Sequence, residues 1–251
     1  MDAVWFTDEA NYAVIISNGD FSIASRPAIL NVLNGTDRPF YTRVFGPRQD
    51  YQFKRGHTYY VGMAMECYGT TIIESGSVIK FDSYYSDASV RIKGDLICNT
   101  DPNFPAILTS VDDDSAGAVE LWSSHEPFSF TNGWPYLDLS AANSGSVSNL
   151  HFRFADRAIS VPENSKRLDI WHSQFYACYS AVENYAGAGA GVGFHNVLLA
   201  GCGTAVLGWT NSYSIEAEHL TAYLGDFWYA NIPPARISLT NSIVQSPFAG
   251  A

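Results

Sequence analysis

The sequence predicts an all-β chain wound into a right-handed parallel β-helix, a solenoid with coils of about 22–24 residues and an N-terminal capping region. Two observations lead to this fold class. Residues of one character recur at a constant interval, and each copy contains short alternating apolar runs bounded by Gly, Asn or Ser. The recurring column reads Asn149, His172, Asn196, His219 and Asn241, at intervals of 23, 24, 23 and 22 residues.

Apolar residues keep fixed distances from this column. Two positions before it stand Val147, Ile170, Phe194, Ala217 and Leu239, and three after it stand Phe152, Phe175, Leu199, Ala222 and Val244. Small residues follow six positions after the column, at Ala155, Cys178, Cys202 and Gly225. A leucine-rich repeat would need Leu on both sides of its Asn, and a propeller blade would need about 40 residues. A parallel β-helix is the fold that remains.

The Asn and His column predicts a structural ladder. Equivalent residues of adjacent coils lie about 4.8 Å apart, so stacked amides can hydrogen-bond along the axis. A metal site is the alternative. It fails on distance, because His172 and His219 would lie two coils apart, about 9–10 Å, which is too far for one ion to bridge.

Two of the four cysteines, Cys178 and Cys202, share a column on adjacent coils. Their expected separation permits a disulfide, but parallel Cβ vectors tend to hold the sulfurs apart. Stacked buried thiols and a bridge both stay open at this point. Neither these residues nor Cys67 and Cys98 have the spacing of a zinc site or a thioredoxin motif.

The composition excludes some functions. The chain has 14 Lys and Arg against 25 Asp and Glu, a net charge of −11, which repels phosphate backbones and argues against nucleic-acid binding. No apolar run reaches about 18 residues, so we expect no membrane span. Met1 is followed by Asp2-Ala3-Val4-Trp5 rather than a basic and then apolar leader, so we expect that this chain carries no signal peptide.

The stretch from Tyr68 to Gly117 carries a family resemblance. It contains the segments 69–81 (GTTIIESGSVIKF), 90–97 (VRIKGDLI), 105–110 (PAILTS) and 112–115 (DDDS). This series resembles right-handed β-helix proteins of exported bacterial type, which belong by fold to the pectin-lyase-like superfamily. The resemblance identifies no specific member. It implies a secreted or cell-surface bacterial protein, commonly one without an assigned activity, and fold alone does not fix chemistry.

We predict two regions from these patterns. Residues 1–65 depart from the coil pattern and are expected to form an N-terminal cap or leading irregular coils. Residues 66–251 are expected to form the parallel β-helix, with a loop insert near 120–146. A strand-like run from Leu239 to Val244 is followed by no polar cap, which predicts a further domain or subunit at the C-terminal end.

The parity of Phe152 predicts which residues face outward on one wall. They are His151, Gln174, Leu198, Thr221 and Ile243, with Arg153, Tyr176, Ala200, Tyr223 and Gln245 beside them. None is a carboxylate. A glycoside hydrolase normally needs two, and a calcium-dependent lyase needs a carboxylate cluster for the ion and a basic group for proton removal. We therefore assign no catalytic residue.

The acidic run Asp112, Asp113 and Asp114 has two readings. The structural reading is a loop whose side chains cap backbone amides. The functional reading is acid catalysis or a weak Ca²⁺ site, which could recruit Asp87, Glu120 or Asp138. We favour the structural reading and expect no cofactor, with Ca²⁺ as the alternative.

Aromatic residues make up 14% of the chain, more than a coil interior of this size should need. Trp171 beside His195 is one candidate for exposed stacking, although aromatic residues usually pack under loops. As binding residues we predict Tyr176, Tyr223, Arg153, Trp122, Trp134 and Tyr136.

The sequence therefore favours a non-catalytic β-helix segment of an exported bacterial protein, serving as a rigid scaffold or as a carbohydrate-binding or adhesive surface. A polysaccharide or cell-surface glycan is the expected partner. The alternative is a polysaccharide lyase or glycoside hydrolase acting on the outer wall of the helix. A trimeric spike, a third reading, predicts a large apolar exterior face.

Overall fold

The chain forms a stack of parallel strands, as a computed structural model of it shows. The structure describes residues 10–12, 15–17, 22–24, 28–30, 41–82, 87–120, 123–127, 133–163, 167–186, 189–209, 213–229 and 234–246. Within these ranges every regular element is a strand. No helix in the described ranges has the length and apolar character needed to cross a membrane.

The strands are numbered in chain order. They are β1 (Ala10–Tyr12), β2 (Ile15–Ser17), β3 (Ser22–Ala24), β4 (Ala28–Leu30), β5 (Tyr41–Gln49), β6 (Gln52–Phe53), β7 (Thr58–Tyr68), β8 (Thr70–Glu74), β9 (Val78–Phe81), β10 (Val90–Ile92), β11 (Asp95–Asn99), β12 (Ala106–Ser110), β13 (Pro135–Asp138), β14 (Ser146–Ser148), β15 (Leu150–Arg153), β16 (Arg157–Ser160), β17 (Arg167–Trp171), β18 (Gln174–Tyr176), β19 (Ser180–Asn184), β20 (Gly191–Gly208), β21 (Ser214–Tyr229), β22 (Arg236–Thr240) and β23 (Ile243–Gln245).

The chain divides into two units, Met1–Phe40 and Tyr41–Ala251. In the first unit, β1 pairs with β4 and β2 pairs with β3, both antiparallel. In the second unit all strand pairs are parallel, and they form a solenoid of about eight turns. The predicted all-β solenoid is confirmed. Paired strands of the solenoid begin at Tyr41, while the predicted division at residue 65 stays a prediction.

Each full coil contributes a segment to three faces, named here in chain order. Face one contains β6, β8, β11, β14, β17, β22 and the first segments of β20 and β21. Face two contains β9, β12, β15, β18, β23, the first segments of β5 and β7, and the middle segments of β20 and β21. Face three contains β10, β13, β16, β19, the second segments of β5 and β7, and the last segments of β20 and β21.

The Asn and His column marks the corner between faces one and two. All five residues have positive φ, at 51°, 50°, 55°, 56° and 49° from Asn149 to Asn241. Only glycine adopts this left-handed conformation freely, and Asn, Asp and His tolerate it better than other residues do. The column is therefore explained first by a backbone requirement that recurs in these five coils.

Fewer side-chain hydrogen bonds join the members of the column than a continuous ladder would contain. Within the described ranges, one hydrogen bond joins two members, between Asn196 Nδ2 and His172 Nδ1 at 2.9 Å. Asn149 instead donates from Nδ2 to the carbonyl oxygen of Thr100, at 3.1 Å. The corner conformation, rather than an amide ladder, is thus what the five residues share.

The apolar columns fill the interior, as predicted. Phe152 and Phe175 stack with ring centroids 5.0 Å apart and planes 6° from parallel, and both are fully buried. Leu239, in the last described coil, is 46% exposed.

Cys178 and Cys202 are buried free thiols, so the structure agrees with stacked thiols rather than with a disulfide bridge. Burial raises the pKa of Cys178 well above its usual value.

Substitutions at Asn196 distinguish the corner conformation from an amide ladder. We expect Asn196→Leu to lower the free energy of unfolding by about 1–2 kcal/mol, because a Cβ-branched or bulky residue is strained at positive φ. Asn196→Gly should stay within about 0.5 kcal/mol of the parent, because glycine accepts this φ although it loses the side-chain bond. Urea unfolding measures both.

A matched control for these variants is Thr221→Leu, at an exposed extended position of β21. It should change stability little. If Asn196→Gly destabilised the protein as much as Asn196→Leu, the side-chain bond and not the backbone would explain the column.

Candidate functional site

Face two carries the outward residues that the sequence predicted. The row His151, Gln174, Leu198, Thr221, Ile243 and the row Arg153, Tyr176, Ala200, Tyr223, Gln245 run straight across the paired strands. Tyr176 is 53% exposed and Tyr223 is 60% exposed. A depression of about 270 Å³ lies beside Tyr176, Leu198 and Arg153. This face offers apolar area and no carboxylate in the two rows.

Arg153 is already engaged on this face. Its Nη1 donates to Ser115 Oγ at 3.1 Å and lies 3.7 Å from Asp113 Oδ2. The guanidinium therefore ties the strand to the acidic loop. Its predicted role in ligand binding stays a prediction.

The acidic run 112–114 is held by hydrogen bonds from its own loop. Asp113 accepts from Thr109 Oγ1 at 2.7 Å and from the backbone N–H and Oγ of Ser115. Asp112 accepts from the backbone N–H of Ser124 at 2.6 Å. Asp114 accepts from Ser123 Oγ at 3.0 Å and contacts His125 Nδ1. These contacts have the pattern of the capping loop that was predicted.

No group of three or more His, Cys, Asp or Glu side chains that could hold a metal ion occurs in the part of the chain that the structure describes. The carboxylates of the loop are turned to backbone and hydroxyl donors, as above. Ca²⁺ binding stays an untested alternative.

The structure describes two of the three aromatic residues assigned to the insert. Trp122 lies outside the described residues. Trp134 is 44% exposed, and the Arg91 guanidinium carbon lies 4.2 Å from its ring centroid. Tyr136 is only 4% exposed, stacks on Phe81 at 4.1 Å and donates its hydroxyl to the carbonyl oxygen of Phe154 at 3.0 Å.

Tyr136 is therefore a correction to the predicted binding set. It lies on β13, which pairs with β10 and β16 as one rung of face three. The insert predicted near 120–146 thus contains a strand of the wall, and this strand turns Tyr136 into the core. A ring buried in this way is not available to stack on a ligand.

A groove on face three combines carboxylates with aromatic rings. The cavity has a volume of about 470 Å³, and its lining includes Trp134, Asp138, Arg157, Glu163, Glu183 and Tyr185. These six residues define the face-three groove. They come from β13, β16 and β19 and from the turns that precede or follow them, so three successive coils build one site.

Glu183 lies at the base of the face-three groove with its side chain fully buried. Its Oε1 accepts from Arg157 Nη1 at 2.6 Å and from the indole N–H of Trp209 at 3.1 Å. Its Oε2 has no hydrogen-bond partner among the described residues. Burial raises the pKa of Glu183 above its usual value, and the positive charge of Arg157 opposes that rise.

Asp138 is a second fixed carboxylate of the groove. Its Oδ1 accepts from Ser160 Oγ at 2.8 Å and from the backbone N–H of Ser140 at 2.9 Å. The Ser160 hydroxyl in turn accepts from the backbone N–H of Leu139 at 2.7 Å. Because Ser160 pairs with Glu183 on the next strand, the two carboxylates lie two coils apart, about 9–10 Å along the axis.

Two aromatic rings close the side of the groove. Tyr185 and Trp209 follow face three in adjacent coils and stack with centroids 5.7 Å apart and planes 5° from parallel. They are 47% and 50% exposed. The Tyr185 hydroxyl accepts from Arg157 Nη1 at 3.3 Å, which joins the aromatic pair to the buried ion pair. Flat rings beside fixed polar groups are typical of sites that orient a ligand with apolar and hydrogen-bonding surfaces.

Four residues of this site were not predicted from the sequence: Arg157, Glu183, Tyr185 and Trp209. The outer rows of face two contain no carboxylate, and face three was not aligned. The repeat does contain a signal, because Tyr185 and Trp209 each stand 13 positions after a column residue. Extending the same alignment past the second corner would have placed both rings on one edge.

A third polar group lies on face one. Arg167 contacts Asp169 at 2.8 Å and Glu216 at 3.0 Å, and His195 Nε2 lies 3.3 Å from Asp169 Oδ1. Trp171 stacks on His195 at 3.8 Å, the exposed stack that the sequence suggested. The charges of this group are largely paired with one another, so it offers less to a ligand than the face-three groove.

No protein-family profile, no curated protein and no solved structure matches this chain. The solenoid is established by its own strand pairing. The link to the pectin-lyase-like superfamily stays a resemblance in sequence segments.

His151 on face two provides a pH-dependent test of the wall. Burial lowers the pKa of His151 from 6.5 to about 4, and the charge of Arg153 adds to the effect. Since the folded state binds this proton less well than the unfolded state, His151 contributes stability above about pH 6.5 that is lost as the pH falls toward 4. We expect His151 to account for about 1–3 kcal/mol of the loss.

The measurement is urea unfolding at pH 7 and pH 4.5 for the parent and for His151→Gln. Glutamine occupies the next position of the same row, at Gln174, so the substitution suits an outward site. The variant should lose less stability on acidification. Equal losses in the two proteins would mean that His151 is solvated normally in the folded state.

Proposed function

We propose that this protein is a rigid β-solenoid scaffold that binds a carbohydrate chain in the face-three groove. The observation that carries the proposal is the junction of exposed rings and fixed polar groups in one cavity. Trp134 and Tyr185 supply ring surface, while Asp138 and Glu183 supply carboxylates held in place by other side chains and by backbone. Sugar rings need both kinds of contact, because they present C–H faces and hydroxyl edges.

The rigidity of the site supports binding. The groove residues lie on strands or directly beside them, in register with neighbours on both sides. A site held by a parallel sheet loses little conformational entropy on binding. A long ligand could also continue along the stack of coils, since each coil repeats the same outer geometry at about 4.8 Å.

Location outside a bacterial cell belongs to the same proposal. It is supported by the resemblance of residues 68–117 to exported β-helix proteins and by a surface of low charge density, with 16% charged residues. A scaffold or adhesive role on a cell-surface glycan would use the same groove.

A polysaccharide-cleaving enzyme is the second candidate. It is favoured by one observation. Asp138 and Glu183 line the same groove from strands that are two coils apart, about 9–10 Å along the axis. Inverting glycosidases hold their two carboxyls about 6.5–9.5 Å apart. Against it, Oε1 of Glu183 already accepts from Arg157 and Trp209, which leaves a general acid at this position only one oxygen for the leaving group.

Removal of one ring tests the binding site. Tyr185→Ala should weaken the retention of a bound oligosaccharide by about 5- to 20-fold, because a ring contact contributes about 1–2 kcal/mol. Tyr185→Phe should keep most of the affinity. Retention on a panel of immobilised polysaccharides, followed by titration calorimetry with the best oligosaccharide, measures the effect.

Tyr223→Ala is the matched control, because Tyr223 is an equally exposed tyrosine on face two. It should bind like the parent. If Tyr223→Ala lost binding and Tyr185→Ala did not, the ligand would lie on face two. New reducing or unsaturated ends in the bound polysaccharide would establish the enzyme instead.

A further inference from the structure

The charge balance of the face-three groove is negative. Three carboxylates line it, at Asp138, Glu163 and Glu183, and Arg157 is the one Lys or Arg among the residues that line it. The formal sum over these four side chains is −2. Arg91, whose guanidinium lies over the Trp134 ring, adds one positive charge beside the groove, so the local sum stays negative, as does the net charge of the chain, −11.

Arg157 has little capacity left for an acidic ligand. Its Nη1 is bonded to Glu183 Oε1 at 2.6 Å and to the Tyr185 hydroxyl at 3.3 Å. Its Nε is buried 4.0 Å from Asp156 Oδ2 and makes no hydrogen bond to it. A bidentate contact to an incoming carboxylate would require two open donors on one edge of the guanidinium. With Nη1 bonded and Nε buried, Arg157 does not present such an edge to the groove.

Glu183, in contrast to Arg157, has an acceptor atom that can take a further hydrogen bond. Its side chain is fully buried and lines the cavity. Its Oε2 atom makes no hydrogen bond of full geometry in the described part of the chain, and the Tyr185 hydroxyl is the neighbouring donor that opposes the rise in the pKa of this carboxylate on burial. A buried acceptor left without a partner costs free energy, most of all when it is charged. A ligand that brings a donor into the groove would relieve this cost, and a positively charged donor would do so best.

The rings are compatible with a cationic donor. The Trp134 ring already holds the Arg91 guanidinium carbon at 4.2 Å from its centroid. The Tyr185 and Trp209 rings stand beside the carboxylate of Glu183. Aromatic faces attract ammonium groups, and a nearby carboxylate adds to that attraction.

We propose that the ligand of the face-three groove is an amino-sugar polymer, whose ammonium groups lie between the groove carboxylates and the aromatic rings. This inference rests on the proposed carbohydrate-binding function and narrows it. Polymers of uronic acid are disfavoured, because their carboxylates would meet Asp138, Glu163 and Glu183, and Arg157 presents no open edge to receive them.

The test compares three oligosaccharide probes of equal length by titration calorimetry. They are a glucosamine oligomer, its N-acetylated counterpart with the same backbone and no charge, and a galacturonate oligomer. The measurement uses the full chain at low ionic strength and at a pH where the amines are protonated. We expect the glucosamine oligomer to bind at least about 10-fold more tightly than the acetylated one, and less tightly as salt is added.

Glu163→Gln reports on the charge directly. Glu163 is exposed, and its side chain forms no hydrogen bond or ion pair among the described residues, so the substitution should leave the fold intact. We expect it to weaken glucosamine-oligomer binding by about 3- to 10-fold and to weaken binding of the acetylated oligomer by a clearly smaller factor. Glu218→Gln, an exposed carboxylate on face one, is the matched control and should bind like the parent. Thermal unfolding confirms that both variants are folded.

The outcomes separate this inference from the function on which it rests. Equal affinity for the charged and acetylated oligomers, or tighter binding of the galacturonate oligomer, would overturn the amino-sugar assignment and leave carbohydrate binding in place. Failure of all three probes and of the wider polysaccharide panel would overturn carbohydrate binding as well. A loss of affinity in Glu218→Gln but not in Glu163→Gln would move the cationic site to face one.

Discussion

A left-handed corner repeated at one place in five successive coils is the constraint on which the rest of this structure depends. Asn149 and its four successors turn the chain from face one to face two at φ values near 50°. A second corner follows at Phe154, Ala177 and Gly201, also at positive φ. Because both turns recur at nearly constant intervals, strands of successive coils fall into parallel register. Register in turn places chemically similar side chains in rows, inside and outside the tube.

The interior and face two could be predicted from the sequence because both follow from strand parity. Once Phe152 is assigned to the core, His151 and Arg153 must face outward, and the paired strands agree. Face three could not be placed in the same way. Its strands follow the second corner, where Ala177 and Phe154 give no sequence signal for a left-handed residue. Strand β13, which carries Tyr136, could not be predicted either, because the long segment around it follows no regular pattern in the sequence.

The three faces differ in what they present to solvent. The C-terminal part of face two presents uncharged residues, with Leu198 and Ile243 38% and 70% exposed. Face one pairs its charges internally around Arg167. Face three alone combines a cavity, exposed rings and a buried carboxylate with a free acceptor atom among the described residues. The solenoid supplies the straight, rigid rows, and the turns after face three supply the rings, so the groove arises where a regular wall meets variable turns.

Register over many coils is tested most directly by a distance between two outward residues of one row. One row crosses six strands and so contains five steps between neighbouring strands: Ile107, His151, Gln174, Leu198, Thr221 and Ile243. Spin labels at positions 107 and 243 should therefore give a narrow distribution of electron–electron distances centred at about 24 Å, apart from the length of the labels. A broad distribution, or a distance far from that value, would contradict the stacked solenoid and every site derived from it.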